Sequence, residues 1–466
     1  MNRPIRWHDY LTININWFAL TTRSQALTPL VIPLLVQQFV GEAQKGSYVG
    51  TLRLWTLMAA LLFQALIGMI SDHTVTRWGR RKPFIFFGVI FEVIIVLSIG
   101  FTAGLDGLSG YWMLFVLVML SMLGSNSAHA ATQALIPDLV PDEKRGIFSG
   151  VKAALELPVP LIFVSFVIAK QLAAGNLWGG LLSLTIVLLV CMIITVFAPH
   201  QTTTEKLPPL NWTPFLRLVL MTAAFTVLVL GIGEMVKWFV GVADGFLLVG
   251  LVGLGGMVIA VVIGVWVSIR LSIGPEIREQ RSFVWWVVNR LAFLVAATNL
   301  AGFMVFFLQE KFPELAAEKA AGPAAQIVMF VGIFILVMAI PSGWLADRFG
   351  KKTLIALAGL LVTLGAALVI IAPDMNLMYV GGSIVGAGVG LFYSANWALG
   401  TEIVPKEQAG RFMGIQNLAG AGAGAIGAYI GGTIADTMSY VLLMSIYGGM
   451  ALLSILALLG IEKEYS

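Results

Sequence analysis

Long apolar runs separated by short polar loops make up almost the whole chain. A transmembrane helix needs about 20 consecutive, mostly apolar residues. In the first part of the chain, runs of this length lie at 12–36, 47–70, 84–103, 111–136, 148–169 and 178–198. Two further runs, here called helices A and B, lie at 216–240 and 244–269. The last part holds runs at 284–308, 324–345, 353–372, 376–400, 412–434 and 438–460. The pattern predicts an all-α polytopic membrane protein with fourteen spans.

Composition agrees with this fold class. Hydrophobic residues are 59% and charged residues 11% of the chain, whereas soluble domains carry about 25% charged residues. The net charge of +4 therefore reports topology and does not indicate a nucleic-acid partner. Most Lys and Arg residues fall in alternate loops, as expected when both termini are cytoplasmic. We expect a multi-pass protein of the cell membrane.

The loops divide the chain into three predicted segments. The polar, proline-rich sequence at 199–214 ends a first group of six spans. We therefore predict an N-terminal six-helix bundle at 1–198, a linker segment at 199–283 that contains helices A and B, and a C-terminal six-helix bundle at 284–466.

A basic loop occurs twice at matched places. The first copy, SDHTVTRWGRRKPFI, occupies 71–85, and the second, GWLADRFGKK, occupies 343–352. The same number of residues separates Asp72 from Asp347 and Gly68 from Gly343. So long a period indicates two related halves. Each copy joins a glycine that permits close helix approach to an aspartate that arginines can clamp.

A second pair of loops repeats at 134–150 and 398–414, each following the fourth helix of its half. In this pair Asp138 corresponds to Glu402. We expect the charged residues of both loop pairs to form a cytoplasmic gate. The predicted gating residues are Asp72, Arg77, Arg80, Arg81, Asp138, Arg145, Asp347, Arg348, Glu402 and Arg411.

These motifs carry a family resemblance. The later loop resembles the major-facilitator signature G-x-x-x-D-R-x-G-[RK]-[RK]. The earlier loop, with four extra residues and a following Pro-Phe-Ile, resembles the glycoside–pentoside–hexuronide branch, especially the sucrose–proton symporters. The resemblance implies the major-facilitator fold: two six-helix repeats, here with two extra helices, and a binding site near mid-membrane.

Polar residues inside the predicted spans are candidates for that site. A charge near the bilayer centre costs from about 2.5 kcal/mol upward, so it normally faces a cavity or a partner. Lys152 and Glu156 are four residues apart on one helix face and can pair; Arg53 and Arg290 lie within other spans. The predicted substrate-binding and coupling residues are Arg23, Asn126, His129, Gln133, Lys152, Glu156, Asn299, Tyr393, Asn396 and Asn417.

Structural roles compete with some of these assignments. Lys152 and Glu156 can be a purely structural ion pair, Arg23 can neutralise Glu92 or Glu156, and His129 can be a packed, hydrogen-bonded histidine. In sucrose–proton symporters a carboxylate of the fourth helix is associated with proton binding, and that position aligns with Met122 here. Proton coupling would then fall to Glu156, with Glu92 as the next candidate; without either, the protein would be a uniporter.

The sequence therefore predicts a secondary transporter, not an enzyme, that moves a sugar or glycoside by proton-coupled alternating access. Its expected partners are a small-molecule solute, protons and the lipid bilayer, without a cofactor or metal and without a second subunit. Two alternatives stay open. One is a fourteen-helix efflux antiporter for amphipathic compounds, although the fifth span lacks the G-P-x-x-G-G motif of those proteins. The other is a non-transporting membrane partner in complex assembly or pigment delivery, which the intramembrane charges disfavour.

Overall fold

The computed structural model describes residues 5–199, 210–243, 245–272, 281–404 and 409–462, with side chains described for all of these except 272 and 409–417. The regular elements of this described part are helices. In chain order they are α1 (Asp9–Ala26, Leu27–Val31 and Ile32–Val40), α2 (Lys45–Asp72), α3 (Lys82–Thr102), α4 (Gly107–Leu139), α5 (Arg145–Glu156, Pro158–Phe163, Val164–Ile168 and Ala169–Ala173), α6 (Leu177–Val196), α7 (Thr213–Val242), α8 (Phe246–Ser272), α9 (Arg281–Gly302 and Met304–Lys311), α10 (Ala321–Phe349), α11 (Lys351–Ile371), α12 (Met375–Ile403), α13 (Ala409–Thr437) and α14 (Tyr440–Leu456).

Thirteen helices in the described residues are long and apolar enough to cross a membrane, and they correspond to α2–α14. The first predicted span is not among them. Its helix α1 carries Asp9, Asn14, Asn16 and Arg23, which make it more polar than the others. The chain is thus a multi-pass membrane protein, while the fourteenth span and the cytoplasmic position of both termini remain predictions.

Prolines explain why α1 is divided. The segment Leu27–Val31 is a π-helix between two α-helical segments. Pro29 lies within it and Pro33 follows it. Because proline has no backbone N–H, the regular hydrogen-bond register cannot continue through these positions, and a π turn takes up the mismatch.

Unit 1 is the first of two compact units and comprises Met1–Phe39 and Ala59–Leu216. Its helices α3 and α4 cross at two glycines. A Cβ atom on Gly88 would lie 2.8 Å from the carbonyl oxygen of Gly124, and one on Gly124 would lie 3.0 Å from that of Gly88. Small residues at such a crossing let two backbones approach closely. Helix α1 packs on α5 and α6.

Unit 2 comprises Val40–Met58 and Arg217–Ser466. It repeats the crossing of unit 1, since a Cβ atom on Gly365 of α11 would lie 2.7 Å from the carbonyl oxygen of Gly381 on α12. Helices A and B, now α7 and α8, are packed within this unit, with the Phe225 ring against Gly422 of α13. The compact units therefore divide the chain differently from the three segments that the sequence predicts, because α13 offers glycines against which the extra helices pack.

Candidate functional site

Unit 1 contains a cluster of aromatic and charged side chains, here called the lysine cluster: Trp17, His129, Lys152 and Glu156. The Lys152 Nζ lies 3.4 Å from Glu156 Oε2 and 3.9 Å from the centroid of the Trp17 ring. The His129 ring meets the same tryptophan edge-on, at 5.3 Å. Lys152 and Glu156 keep 29% and 37% of their side-chain surface exposed. The cluster thus places two partly exposed charges beside a buried tryptophan ring, and such charges can meet a polar solute.

A break in α5 positions Glu156. The segment Arg145–Glu156 ends at this residue, and Pro158 begins the next segment. Pro158 lacks the N–H that would bond to the Ala154 carbonyl in a continuous helix. The helix is therefore interrupted directly beside the candidate coupling carboxylate.

Arg23 lies apart from the lysine cluster in a buried ion pair. Its Nε donates to Glu92 Oε1 at 2.6 Å, and its Nη2 donates to Ser121 Oγ. The Ser121 hydroxyl in turn donates to the same Glu92 oxygen at 2.8 Å. Both charged side chains are less than a tenth exposed. The sequence offered Glu92 and Glu156 as partners for Arg23, and the structure pairs Arg23 with Glu92.

The remaining predicted residues of α4 have separate partners. The Asn126 amide donates to the Met122 carbonyl of its own helix at 2.8 Å. The Gln133 side-chain oxygen accepts from Gln64 Nε2 at 3.1 Å in an exposed position. Of the three predicted site residues on α4, His129 is the one that joins the lysine cluster.

Unit 2 contains a second cluster, here called the arginine cluster: Trp286, Asn289, Arg290 and Asn396. The Arg290 Nη1 donates to Asn396 Oδ1 at 2.7 Å, and the Asn396 amide donates to Asn289 Oδ1 at 3.3 Å. The Trp286 indole N–H donates to the Asn396 carbonyl at 3.1 Å, and its ring lies 5.9 Å from the guanidinium. The predicted site contained only Asn396 of this group. The sequence signal that could have identified Arg290 is a positive charge in the predicted span 284–308, which contains no acidic residue.

The other predicted residues of unit 2 are distributed around this cluster. Asn299 donates to the carbonyls of Val295 at 2.9 Å and Ala423 at 3.2 Å, so it ties α9 to α13. Tyr393 is 42% exposed and precedes Asn396 by nearly one turn of α12. The side chain of Asn417 lies outside the described residues.

Four of the predicted gating residues of unit 1, namely Asp72, Arg80, Arg81 and Asp138, form one ionic network. Arg81 bonds to Asp72 at 2.5 Å through Nη2 and to Asp138 at 2.8 Å through Nε, while Arg80 reaches Asp138 at 2.9 Å. Arg77 is exposed. Arg145 does not join Asp138: it pairs with Asp142 at 2.6 Å and donates to the Pro137 and Val140 carbonyls at the end of α4.

Unit 2 repeats one part of this network. Lys351, at the start of α11, bonds to Glu402, near the end of α12, at 2.6 Å, as the arginines before α3 bond to Asp138 near the end of α4. Asp347 has no ion pair among the described side chains. Arg348 lies over Trp344, 5.4 Å from its ring, and the side chain of Arg411 lies outside the described residues.

Comparison with known proteins identifies relatives of this chain. The sequence model described as Major Facilitator Superfamily matches residues 291–466. The lactose permease of Leuconostoc lactis is 27% identical over 167 residues, which cover 32% of this chain and 25% of the permease. The sucrose transport protein SUT1 of Oryza sativa subsp. japonica is 37% identical over 46 residues, or 10% of this chain and 9% of that protein. The aligned part of this chain thus spans a quarter or less of these two relatives.

A solved structure matches almost the whole chain. The nucleoside transporter NupG superposes with a TM-score of 0.63 at 12% identity, covering 97% of this chain and 98% of that one. At this identity the likeness establishes the fold alone. The superposition shows that the chain shares its fold with this transporter, and residues 291–466 match the Major Facilitator Superfamily model.

Proposed function

We propose that this protein is a secondary active transporter that moves a sugar or glycoside by alternating access, coupled to protons. The observation that carries the proposal is the lysine cluster, in which Lys152 lies 3.9 Å above the Trp17 ring and 3.4 Å from Glu156. Sugar hydroxyls need charged and amide partners, and the apolar faces of a sugar ring stack on aromatic side chains. The names of the two sequence relatives, a lactose permease and a sucrose transport protein, support the same solute class.

Within this proposal Glu156 carries the coupled proton. It is the carboxylate of the lysine cluster, it is partly accessible, and its helix is interrupted immediately after it. The Lys152 Nζ lies 3.4 Å from its Oε2. Protonation of Glu156 would release Lys152, and solute binding to the cluster would then depend on the proton.

The gate loops act at the ends of the helices. Asp72, Asp138, Arg80 and Arg81 hold the ends of α2, α3 and α4 together, and breaking this network would let these ends separate. The protein would function as a monomer in the cell membrane.

Uptake by proteoliposomes tests the proposal. Purified protein is reconstituted, and accumulation of labelled sugars and glycosides is measured with and without an inward proton gradient. The Glu156→Gln variant should lose gradient-driven accumulation and keep solute exchange, because Gln can still contact the solute and cannot carry a proton. Glu314→Gln, the same change at an exposed residue between α9 and α10, should accumulate as the wild type does. Accumulation that survives Glu156→Gln would remove Glu156 from the coupling role.

A further inference from the structure

Arg53, on α2, is a buried cation without a counter-charge. It is 7% exposed, and no ion pair between described residues includes it. Its Nε and Nη1 atoms have no hydrogen-bond partner among those residues, and the Phe303 ring lies 5.8 Å from the guanidinium carbon. In unit 1, by contrast, Glu92 neutralises Arg23 at 2.6 Å. Burying an unpaired charge is costly, so other contacts must hold Arg53 in this position.

The guanidinium of Arg53 occupies a notch where α9 is interrupted. Helix α9 consists of the segments Arg281–Gly302 and Met304–Lys311, with Phe303 between them. A Cβ atom on Gly302 would overlap the Nη1 atom of Arg53, so a larger residue at this position could not accept the guanidinium where it lies. The notch therefore fits the arginine in shape, but it does not supply the ion pair that the charge requires.

Arg53 follows two glycines on one face of α2. Gly46, Gly50 and Arg53 are spaced by four and three residues, which places them on the same side of a helix. A Cβ atom on Gly46 would lie 2.7 Å from the carbonyl oxygen of Gly432, and one on Gly50 would overlap the carbonyl oxygen of Ala428. Small residues let two helices approach closely, so this face of α2 is packed tightly against α13.

Polar contacts add to this packing at the start of α2. The backbone N–H groups of Gly46 and Ser47 donate to the two carboxylate oxygens of Asp436 at 2.8 and 2.7 Å. The Lys45 Nζ donates to Gln309 Oε1 at 2.9 Å. The first amides of a helix lack partners within the helix, and a carboxylate is stabilising there. All of these contacts lie in the first part of α2, and the first gate loop follows its other end.

The first part of α2, Val40–Met58, accordingly belongs to unit 2. Alternating access requires the pathway to open at each end in turn, and separating this part of α2 from α9 and α13 would return Arg53 to water. We propose that Arg53 keeps this contact reversible, because dehydration of its charge offsets part of the stabilisation that the glycine packing and Asp436 provide. The inference rests on the proposed function and adds a residue that sets the balance between its conformations.

Distances between two spin labels test this role. The labels are attached to Gln44→Cys and Thr437→Cys, exposed residues beside the start of α2 and at the end of α13, with the buried Cys191 replaced by serine. The full-length protein is measured in phospholipid nanodiscs, and the wild type should show a short and a long distance. Arg53→Met should lower the ratio of long to short distances about tenfold, because replacing a buried charge by an apolar group stabilises the packed state. Arg53→Lys, which keeps the charge, should retain most of the wild-type ratio, and Arg270→Met, the same change at an exposed arginine of α8, should retain all of it.

A second variant tests the contact from the side of α9. Gly302→Ala places a methyl group where the Arg53 Nη1 lies, so it should raise the ratio of long to short distances. Combining Gly302→Ala with Arg53→Ala removes the overlap and should lower the ratio below that of Gly302→Ala alone. In proteoliposomes, Arg53→Met should slow solute uptake without a lower unfolding temperature, a combination that a purely structural role would not produce.

The remaining outcomes overturn the inference. An unchanged ratio in Arg53→Met refutes the role of the charge, and a shift toward the long distance would mean that Arg53 stabilises the packed contact. A wild type that shows only the short distance would mean that the contact is not reversible. The distances are measured without a solute. Failure of the proposed sugar transport therefore appears in the uptake assay, whereas failure of the inference appears in the distances.

Discussion

Unit 1 buries an arginine beside a carboxylate, whereas unit 2 buries two arginines that have no carboxylate partner among the described side chains. Arg23 in unit 1 has a carboxylate at 2.6 Å and a serine that bonds to both members of the pair. Arg290 in unit 2 bonds to a neutral amide, and Arg53 lies 5.8 Å from the Phe303 ring without an acidic partner among the described side chains. A charge within a span is therefore not by itself a sign of a binding residue. What distinguishes the two cases is whether the protein itself supplies the counter-charge.

Removing the counter-charge in unit 1 should produce the largest loss of stability. Glu92→Gln leaves Arg23 charged, buried and without an anion. Breaking a buried ion pair from one side costs about 3–5 kcal/mol. We expect a clear fall in the unfolding temperature of the purified protein, measured by thermal denaturation in detergent.

The double variant Arg23→Gln with Glu92→Gln is the control for this effect. Two amides can bond to each other and to Ser121 without a net charge, so most of the lost stability should return. A single variant as stable as the wild type would mean that the pair is not electrostatically important, and the contrast between the units would then fail.

Removing an unpaired charge in unit 2 should leave the unfolding temperature unchanged or raise it. Arg53→Met keeps an unbranched side chain of similar length and eliminates a buried cation whose Nε and Nη1 have no partner among the described residues. Replacing buried charges by apolar groups is often neutral or stabilises a protein by about 1–4 kcal/mol. We expect an unchanged or higher unfolding temperature. Arg23→Met, the same change in unit 1, should lower it, because Glu92 would lose its cation; similar responses of the two variants would refute the comparison.

The sequence predicted the positions of the spans far better than it predicted which polar side chains bond to each other. Thirteen of the fourteen predicted spans coincide with helices long and apolar enough to cross a membrane, because a run of about 20 apolar residues has few alternatives in a membrane chain. The exception is instructive: the polar residues and prolines of α1 were visible in the sequence, yet how three helical segments join through a π turn depends on packing against neighbouring helices.

The partners depend on distances between helices, which spacing along one helix cannot supply. The pair Lys152–Glu156 could be predicted because both residues lie on one helix, four positions apart. The choice of Glu92 for Arg23 required the relative placement of α1 and α3. The arginine cluster was missed for the same reason: Asn289, Arg290 and Asn396 come together only when α9 packs against α12.

The smallest difference between the units should come from their gate loops. Asp138 has a side chain only 16% exposed and accepts from two arginines at 2.8 and 2.9 Å, whereas Glu402 is 45% exposed and accepts from one lysine at 2.6 Å. Hydrogen bonds to charged groups contribute about 1.5–3 kcal/mol when they are shielded, and an exposed ion pair contributes at most about 1 kcal/mol. Asp138→Asn should therefore lower the unfolding temperature and the initial rate of solute uptake more than Glu402→Gln does. Uptake and thermal denaturation are measured on the same preparations, so that a loss of rate without a loss of stability identifies gating. Equal losses in the two variants, or a larger loss in Glu402→Gln, would show that the two loops do not differ in the way that their exposure and pairing require.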